Sequence, residues 1–98
     1  MKLGQTESQV QEALDILQEE CAEVIVDISK CFRFGPDQIM QGQELTNLQR
    51  LEKELGDVQA MMELLVDCKV GITNQGLFEA KMKKFKKLKQ WSNLTINK

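Results

Sequence analysis

Two short acidic segments carry the residues best placed to do chemistry in this chain. The first spans residues 19–23 and reads Glu-Glu-Cys-Ala-Glu; the second spans residues 54–57 and reads Glu-Leu-Gly-Asp. Each segment holds two carboxylates three residues apart, which project from one side of a helix. Mg²⁺ is usually bound by a few carboxylates together with substrate phosphates. The spacing therefore predicts a metal site, with ordinary exposed helical acids as the alternative.

Three amphipathic helices are predicted to position these acids, because apolar residues recur at three- and four-residue intervals. The predicted helices run from about residue 7 to residues 32–34, from residue 46 or 47 to about residue 68, and from about residue 74 to residue 91. Thr6 is the predicted cap of the first helix and Gly35-Pro36 its stop, while Thr46 or Asn47 caps the second. The polar, aperiodic stretch between these two helices, residues 35–44, is expected to be a mobile connection.

The first acidic pair is predicted to border the apolar face of its helix. That face consists of Val10, Leu14, Leu17, Cys21, Val24, Ile28 and Phe32. At about 100° per residue, Glu20, Glu23, Asp27 and Lys30 share one flank of the face, and Glu19 lies further round, towards solvent. These acids are therefore expected at the edge of a buried surface.

The second acidic pair has the same relation to its helix. The apolar face there consists of Leu48, Leu51, Leu55, Val58, Met62 and Leu65 or Val66. Glu54 and Asp57 lie at its edge, and Arg50, one turn before Glu54, is expected to form an i, i+4 pair with it. Gly56 lowers helix propensity by about 1 kcal/mol relative to alanine, so a close helix approach is expected at that position. Antiparallel packing of the first two helices would bring the two acidic edges together.

Length and composition predict one small all-α domain. The 98 residues are 42% hydrophobic and include a single proline, which argues against disorder but allows only a marginal core. That core is expected to cover about residues 6–91, with a frayed tail at 92–98. The predicted fold is three main helices that form a four-helix-type bundle with a partner copy, which makes the protein a homodimer or homotetramer.

The composition also bears on the class of protein. The first 11 residues are too polar for a signal peptide, and no apolar run approaches the roughly 18 residues of a membrane span. Cys21, Cys31 and Cys68 show no CxxC spacing, and the absence of histidine removes the other usual zinc ligand. Buried, reduced thiols in a cytoplasmic protein are therefore expected.

The net charge of −2 conceals an acidic body and a basic end. Residues 1–67 carry 14 acidic and 5 basic side chains, whereas residues 68–98 carry 1 acidic and 8 basic. Six of the basic residues lie in the third predicted helix, at Lys81, Lys83, Lys84, Lys86, Lys87 and Lys89. Such a helix could contact substrate phosphates, nucleic acid or the acidic body itself.

The two acidic motifs, in this order and on separate helices, resemble the signature of the MazG-type all-α nucleoside triphosphate pyrophosphohydrolases. The resemblance covers roughly residues 10–92 and includes the stretch 29–35 and the lysine-rich third helix that ends at Trp91. It is greatest to short single-domain members, such as those carried by phages. The resemblance implies Mg²⁺-dependent cleavage of a nucleoside triphosphate between the α and β phosphates, with Mn²⁺ as a possible substitute ion. The products would be a nucleoside monophosphate and pyrophosphate.

The resemblance also implies roles for individual residues. The implied metal ligands are Glu20, Glu23, Glu54 and Asp57, with Glu19 as a supporting acid. In the third helix, Lys81 matches a phosphate-binding position of the family. The next such position is Phe85 here, which departs from the family pattern and leaves Lys84 as the nearest substitute.

Two further residues are candidates for substrate binding. Lys30 could reach a phosphate or could simply stabilise the C-terminus of its helix. Trp91 could stack on a base or pack against a partner helix. The base and sugar of the nucleotide are left open.

A non-enzymatic helical interaction module with a basic, nucleic-acid-binding helix is the alternative function. The enzyme and the nucleic-acid module differ in whether they need the paired acids. A nucleic-acid module has no need of paired acids beside its core, and without a metal these acids would repel phosphate. The acid placement therefore favours the enzyme.

Overall fold

A computed structural model describes residues 7–98 and confirms an all-α fold of three helices. The helices are α1 (Glu7–Phe34), α2 (Asn47–Asp67) and α3 (Asn74–Trp91). Within residues 7–98 there is no strand, although Ile39 and Thr46 form one isolated antiparallel bridge. None of the helices in this part of the chain is long and apolar enough to cross a membrane. The predicted cap of α1, Thr6, lies outside the described residues.

Local sequence signals set the helix ends. After α1, Gly35 adopts a φ of +100°, which glycine tolerates without steric cost, and its N–H donates to Cys31 O at 3.1 Å. Thr46 caps α2 through a capping box, in which its hydroxyl accepts from Gln49 N and the Gln49 side chain accepts from Thr46 N. The Thr73 hydroxyl accepts from Gly76 N at the start of α3. Of the two predicted caps for α2, Thr46 is the one used.

The helices α1 and α2 pack in antiparallel fashion and contain the small core. Asp27, towards the end of α1, faces Arg50 in the first turn of α2. Glu20, in the middle of α1, lies beside Asp57 in the middle of α2. We call the contact line between them the seam. The buried or half-buried positions of α1 are Val10, Ala13, Leu14, Ile16, Leu17, Glu20, Val24, Asp27, Lys30 and Cys31. The most buried apolar side chains are Val10 and Leu65, at the end of the pair away from the loop.

The seam on α1 is rotated relative to the predicted apolar face. Cys21, Ile28 and Phe32 were expected to be buried, but all three are exposed, and Phe32 is 86% exposed. The residues immediately before them, Glu20, Asp27 and Cys31, lie in the seam instead. These residues lie on the polar border of the predicted apolar face, so the side of α1 that packs against α2 includes that border. This rotation brings two acids between the helices.

The loop between α1 and α2 is tied down by hydrogen bonds, where the sequence predicted a mobile connection. The buried Asn47 side chain donates from Nδ2 to Gly35 O at 2.9 Å. Its backbone N–H donates to Gln38 O at 2.9 Å, and the next amide, Leu48 N, donates to Pro36 O at 3.0 Å. The start of α2 therefore holds both the end of α1 and the first turn of the loop.

Helix α3 makes little contact with the other two helices. The radius of gyration is 16.5 Å, whereas a compact domain of 100 residues has about 13 Å. Phe78 and Trp91 of α3 are exposed, Trp91 by 84%. One chain alone therefore forms a two-helix core with an attached third helix. A bundle with a partner copy is a proposal taken up below.

Two smaller expectations need correction. Cys31 and Cys68 are half-buried and Cys21 is exposed, so the prediction of buried thiols is wrong for Cys21, although all three cysteines are free. The tail has no regular secondary structure, but it folds back on α3. Ser92 Oγ donates to Leu88 O at 2.7 Å, and the Lys98 ammonium lies 5.5 Å from the centre of the Phe85 ring.

Candidate metal centre

Three of the four predicted metal ligands meet at the middle of the seam. Oxygen atoms of Glu20, Glu54 and Asp57 all lie within 4.8 Å of one another. Glu20 comes from α1, and the other two come from successive turns of α2, whose spacing places both on the side that faces α1. We call these three residues the carboxylate triad. It joins the two halves of the sequence motif in one place.

The fourth predicted ligand, Glu23, lies outside the triad. Its side chain is exposed, although it is only one helical turn from Glu20. A step of three residues rotates the side chain by about 60° around the helix, which turns Glu23 away from the seam and towards solvent. Glu19 is exposed, as the sequence predicted. A ligand role for Glu23 stays a prediction.

A lysine that the sequence analysis did not assign to the site neutralises part of the triad. Lys53 Nζ lies 2.9 Å from Asp57 Oδ2 and 3.6 Å from Glu54 Oε1. The hydrogen bond from the ammonium lowers the pKa of Asp57, and the Asp57 carboxylate raises the pKa of Lys53. The i, i+4 spacing of Lys53 and Asp57 is the signal that could have revealed this pair.

Within the triad, Glu20 binds its proton more tightly than an isolated carboxylate does. Hydrogen bonding with the Glu54 carboxyl, partial removal from water, and the negative charges of Glu54 and Asp57 raise the pKa of Glu20 to about 7. In addition, Glu54 Oε2 is buried and has no hydrogen-bond partner. An unpaired buried carboxylate oxygen calls for a cation or an ordered water. The carboxylate donor set and this oxygen both fit a hard divalent cation.

The polar part of the seam continues from the triad towards the loop. Asp27 is only 1% exposed, and neither of its carboxylate oxygens has a hydrogen-bond partner. The facing cation is Arg50, whose Nε lies 3.8 Å from Asp27 Oδ1. Arg50 therefore pairs with Asp27 across the seam, and the predicted pair with Glu54 on the same helix is not formed. The sequence placed Asp27 on the acidic flank of α1, at the edge of the buried face, but did not predict its full burial.

The predicted substrate-binding residues are not gathered at the triad. Lys81 lines an open groove of about 880 Å³ with Gln59 and Met62, on a different side of α2 from Asp57. Lys84 and Trp91 are exposed on α3, which makes little contact with the seam. Lys30 is half-buried one turn after Asp27, and its carbonyl accepts from Asn47 Nδ2 at 3.5 Å.

Carboxylates from two helices could hold one divalent ion and leave coordination positions for water and phosphate oxygens. The chain supplies three such groups at the triad, with a fourth predicted at Glu23. No protein-family model, curated protein or solved structure matches this chain. Support for a function comes from the carboxylate geometry and from the sequence motif.

Proposed function

We propose that this protein is a Mg²⁺-dependent nucleoside triphosphate pyrophosphohydrolase of the MazG type. One observation carries the proposal. The two motif halves, far apart in the sequence, place Glu20, Glu54 and Asp57 with oxygen atoms within 4.8 Å of one another. That arrangement is what a cation bridging the two helices requires. Mn²⁺ is expected to substitute for Mg²⁺, because both prefer oxygen ligands.

The chain's own residues would position the reacting groups. Glu20, Glu54 and Asp57 would hold the ion, and Glu23 would complete the set by turning inward from its exposed position. When bound, the ion polarises phosphoryl oxygens and activates water. Phosphoryl transfer needs little more than such positioning and charge neutralisation. Displacing the proton of Glu20 would be part of ion binding, since its pKa is raised to about 7.

The proposed enzyme acts as a homodimer or homotetramer. Apolar side chains on the outer faces of α1 and α2 are uncovered in one chain; they include Ile25, Ile28, Phe32, Leu48 and Leu55. A side chain at Gly56 would meet nothing within 4 Å, so the close helix approach that this glycine suggests does not come from its own chain. A second copy packed on this face would account for the glycine and would complete a bundle. The basic end and acidic body of two copies would also attract each other.

A non-enzymatic module that binds nucleic acid through α3 is the second candidate. All six lysines of this helix are exposed. Binding through them would be sequence-independent and would weaken steeply with salt. It would need neither the triad nor a divalent cation, which gives a clear distinction between the two functions.

The deciding experiment incubates the purified protein with Mg²⁺ and a panel of canonical and damaged nucleoside triphosphates. We expect phosphorus NMR to show a monophosphate and pyrophosphate for at least one of them, and EDTA to stop the reaction. Stepwise release of orthophosphate would contradict the pyrophosphohydrolase. No turnover, together with tight EDTA-insensitive binding of a labelled oligonucleotide, would favour the module instead.

A further inference from the structure

An open cleft lies beside the triad, between the loop and the first turns of α2. It has a volume of about 440 Å³, and its lining includes Gln43, Arg50, Lys53 and Glu54. Glu54 belongs to both the cleft and the triad, so the cleft borders the position where an ion would be held. The lining holds two cations, Arg50 and Lys53, and two acids, Glu44 and Glu54, whereas the lysines of α3 lie elsewhere.

Arg50 is held in place from two sides. Its Nε faces the buried carboxylate of Asp27 at 3.8 Å, and its Nη1 donates to Gln43 Oε1 of the loop. The Arg50 side chain is 23% exposed, and it lines the cleft. An arginine fixed in this way loses little freedom when it binds a ligand, and its planar group can donate two parallel hydrogen bonds to a phosphate.

We propose that this cleft binds the polyphosphate chain of the substrate, with Arg50 as the phosphate donor and Asp27 as the residue that positions Arg50. The proposal rests on the proposed function, since it extends a metal-bound triphosphate from the triad into the cleft. Lys53, which is 61% exposed, is the second cation available to the phosphates once an ion replaces it at Asp57. Arg50 thus supplies, from α2, a contact that Phe85 cannot supply from α3.

The charges around the cleft predict that a polyphosphate binds there only together with a divalent cation. Asp27, Glu54 and Asp57 lie close to Arg50 and Lys53, and Glu44 also lines the cleft, so the cleft would repel a free anion. A divalent ion at the triad would reverse that balance. Binding of a polyphosphate should therefore require the cation, whereas a surface patch of lysines would bind without one.

The test titrates inorganic triphosphate into the full chain by calorimetry, with saturating Mg²⁺ and in EDTA. We expect binding only with Mg²⁺. Arg50→Gln should weaken it by about tenfold or more, the loss expected for hydrogen bonds to a charged group. The affinity for Mg²⁺ alone should change by less than about twofold, because Arg50 is not a ligand. Arg33→Gln is the matched control and should bind like wild type, since Arg33 is exposed beside Phe34 at the end of α1.

Two more variants separate positioning from folding. Arg50→Lys keeps the charge but loses the planar donor, so it should bind triphosphate more weakly than wild type and more tightly than Arg50→Gln. Asp27→Asn keeps the shape of the buried side chain and should raise KM for the nucleotide with little change in kcat.

The outcomes distinguish the two proposals. If wild type hydrolyses a nucleotide and Arg50→Gln binds triphosphate equally well, the cleft is not the phosphate site, although the enzyme stands. If wild type binds no triphosphate with Mg²⁺, the cleft proposal fails, and the phosphorus NMR assay decides separately whether the enzyme stands. Triphosphate binding in EDTA that Arg50→Gln does not weaken would place the anion on the exposed lysines and overturn the cleft alone.

Discussion

Lys53 Nζ lies 2.9 Å from Asp57 Oδ2, so the chain places its own cation against the carboxylate triad. The same ammonium lies 3.6 Å from Glu54 Oε1, and it therefore offsets charge on both α2 members of the triad. A divalent ion bound by these carboxylates would have to take over that role. Lys53 is accordingly a built-in competitor of the metal as well as a stabiliser of the metal-free chain.

Replacing Lys53 with glutamine should tighten divalent-ion binding. The triad loses its internal counter-ion, and the ion no longer displaces an ammonium from Asp57. We expect the dissociation constant for Mn²⁺, measured by electron paramagnetic resonance without nucleotide, to fall by about two- to fivefold, a modest change because the pair is exposed. Lys86→Gln, an exposed lysine of α3, is the control. Weaker Mn²⁺ binding by Lys53→Gln would show that Lys53 assists the ion.

The stability of the metal-free protein should fall as the pH rises from 5 to 8. The pKa of Glu20 is raised from 4.5 to about 7, so the folded chain holds this proton more tightly than the unfolded chain. Its contribution to stability is complete below about pH 4.5 and is lost as the pH rises through about 7. The lowered pKa of Asp57 has the opposite sign, but that contribution is lost only as the pH falls below 3.8.

Thermal unfolding in EDTA tests the sign of this dependence. The melting temperature of wild type should fall between pH 5 and pH 8, and Glu20→Gln should show a smaller fall because it cannot lose the proton. Glu12→Gln, an exposed acid on the same helix, should follow wild type. A fall in Glu20→Gln as large as in wild type would assign the pH dependence to other groups.

The helices and the triad could be predicted because their signals are local. Gly35 and Thr46 fix helix ends within a few residues, and the i, i+3 spacing of Glu54 and Asp57 places them on neighbouring positions of α2, about 60° apart. The face of α1 that meets α2 could not be predicted in the same way. Glu20 and Cys21 are about 100° apart, and which of them enters the seam depends on a partner helix distant in sequence.

The choice of charge partners was open for a similar reason. Arg50 can reach Glu54 along its own helix or Asp27 across the seam. Only the pair with Glu54 has a spacing, i, i+4, that can be recognised in the sequence. Burial decides between them: Asp27 is 1% exposed, so an unpaired charge there would be costly, and Arg50 faces it. The rotation of α1 that buried Asp27 does not reach Glu23, which lies further round the same flank and stays exposed.

Gly56→Ala should stabilise the isolated chain and weaken its self-association. In one chain the added methyl group meets nothing within 4 Å, and alanine improves helix propensity by about 1 kcal/mol. If a second copy packs closely on this face, the same methyl group separates the two helices. We expect analytical ultracentrifugation to show wild type as a dimer or larger and Gly56→Ala with a weaker association constant. A monomeric, fully active wild type would refute the proposed assembly.

Glu54→Gln should separate catalysis from folding. Glu54 lies within the triad, and at pH 8, where Glu20 has lost its proton, replacing Glu54 relieves repulsion with Glu20, so the melting temperature in EDTA at that pH should be no lower than that of wild type. Loss of a ligand should nevertheless reduce the rate of pyrophosphate release on the order of a thousandfold. Mg²⁺ should raise the melting temperature of wild type and have little effect on the variant, since a ligand stabilises only the state that binds it.

Glu23→Gln and Glu12→Gln complete the same experiment. Glu23 lies outside the triad and must turn inward to bind, so its loss should reduce the rate and the Mg²⁺-induced stabilisation by less than the loss of Glu54. Glu12, exposed on α1 and away from the triad, should be replaceable without effect on either measurement. Full activity in Glu54→Gln would mean that the triad is a solvated helix surface, and the proposed enzyme would be wrong. Equal losses in Glu23→Gln and Glu54→Gln would instead show that the ion draws all four carboxylates together.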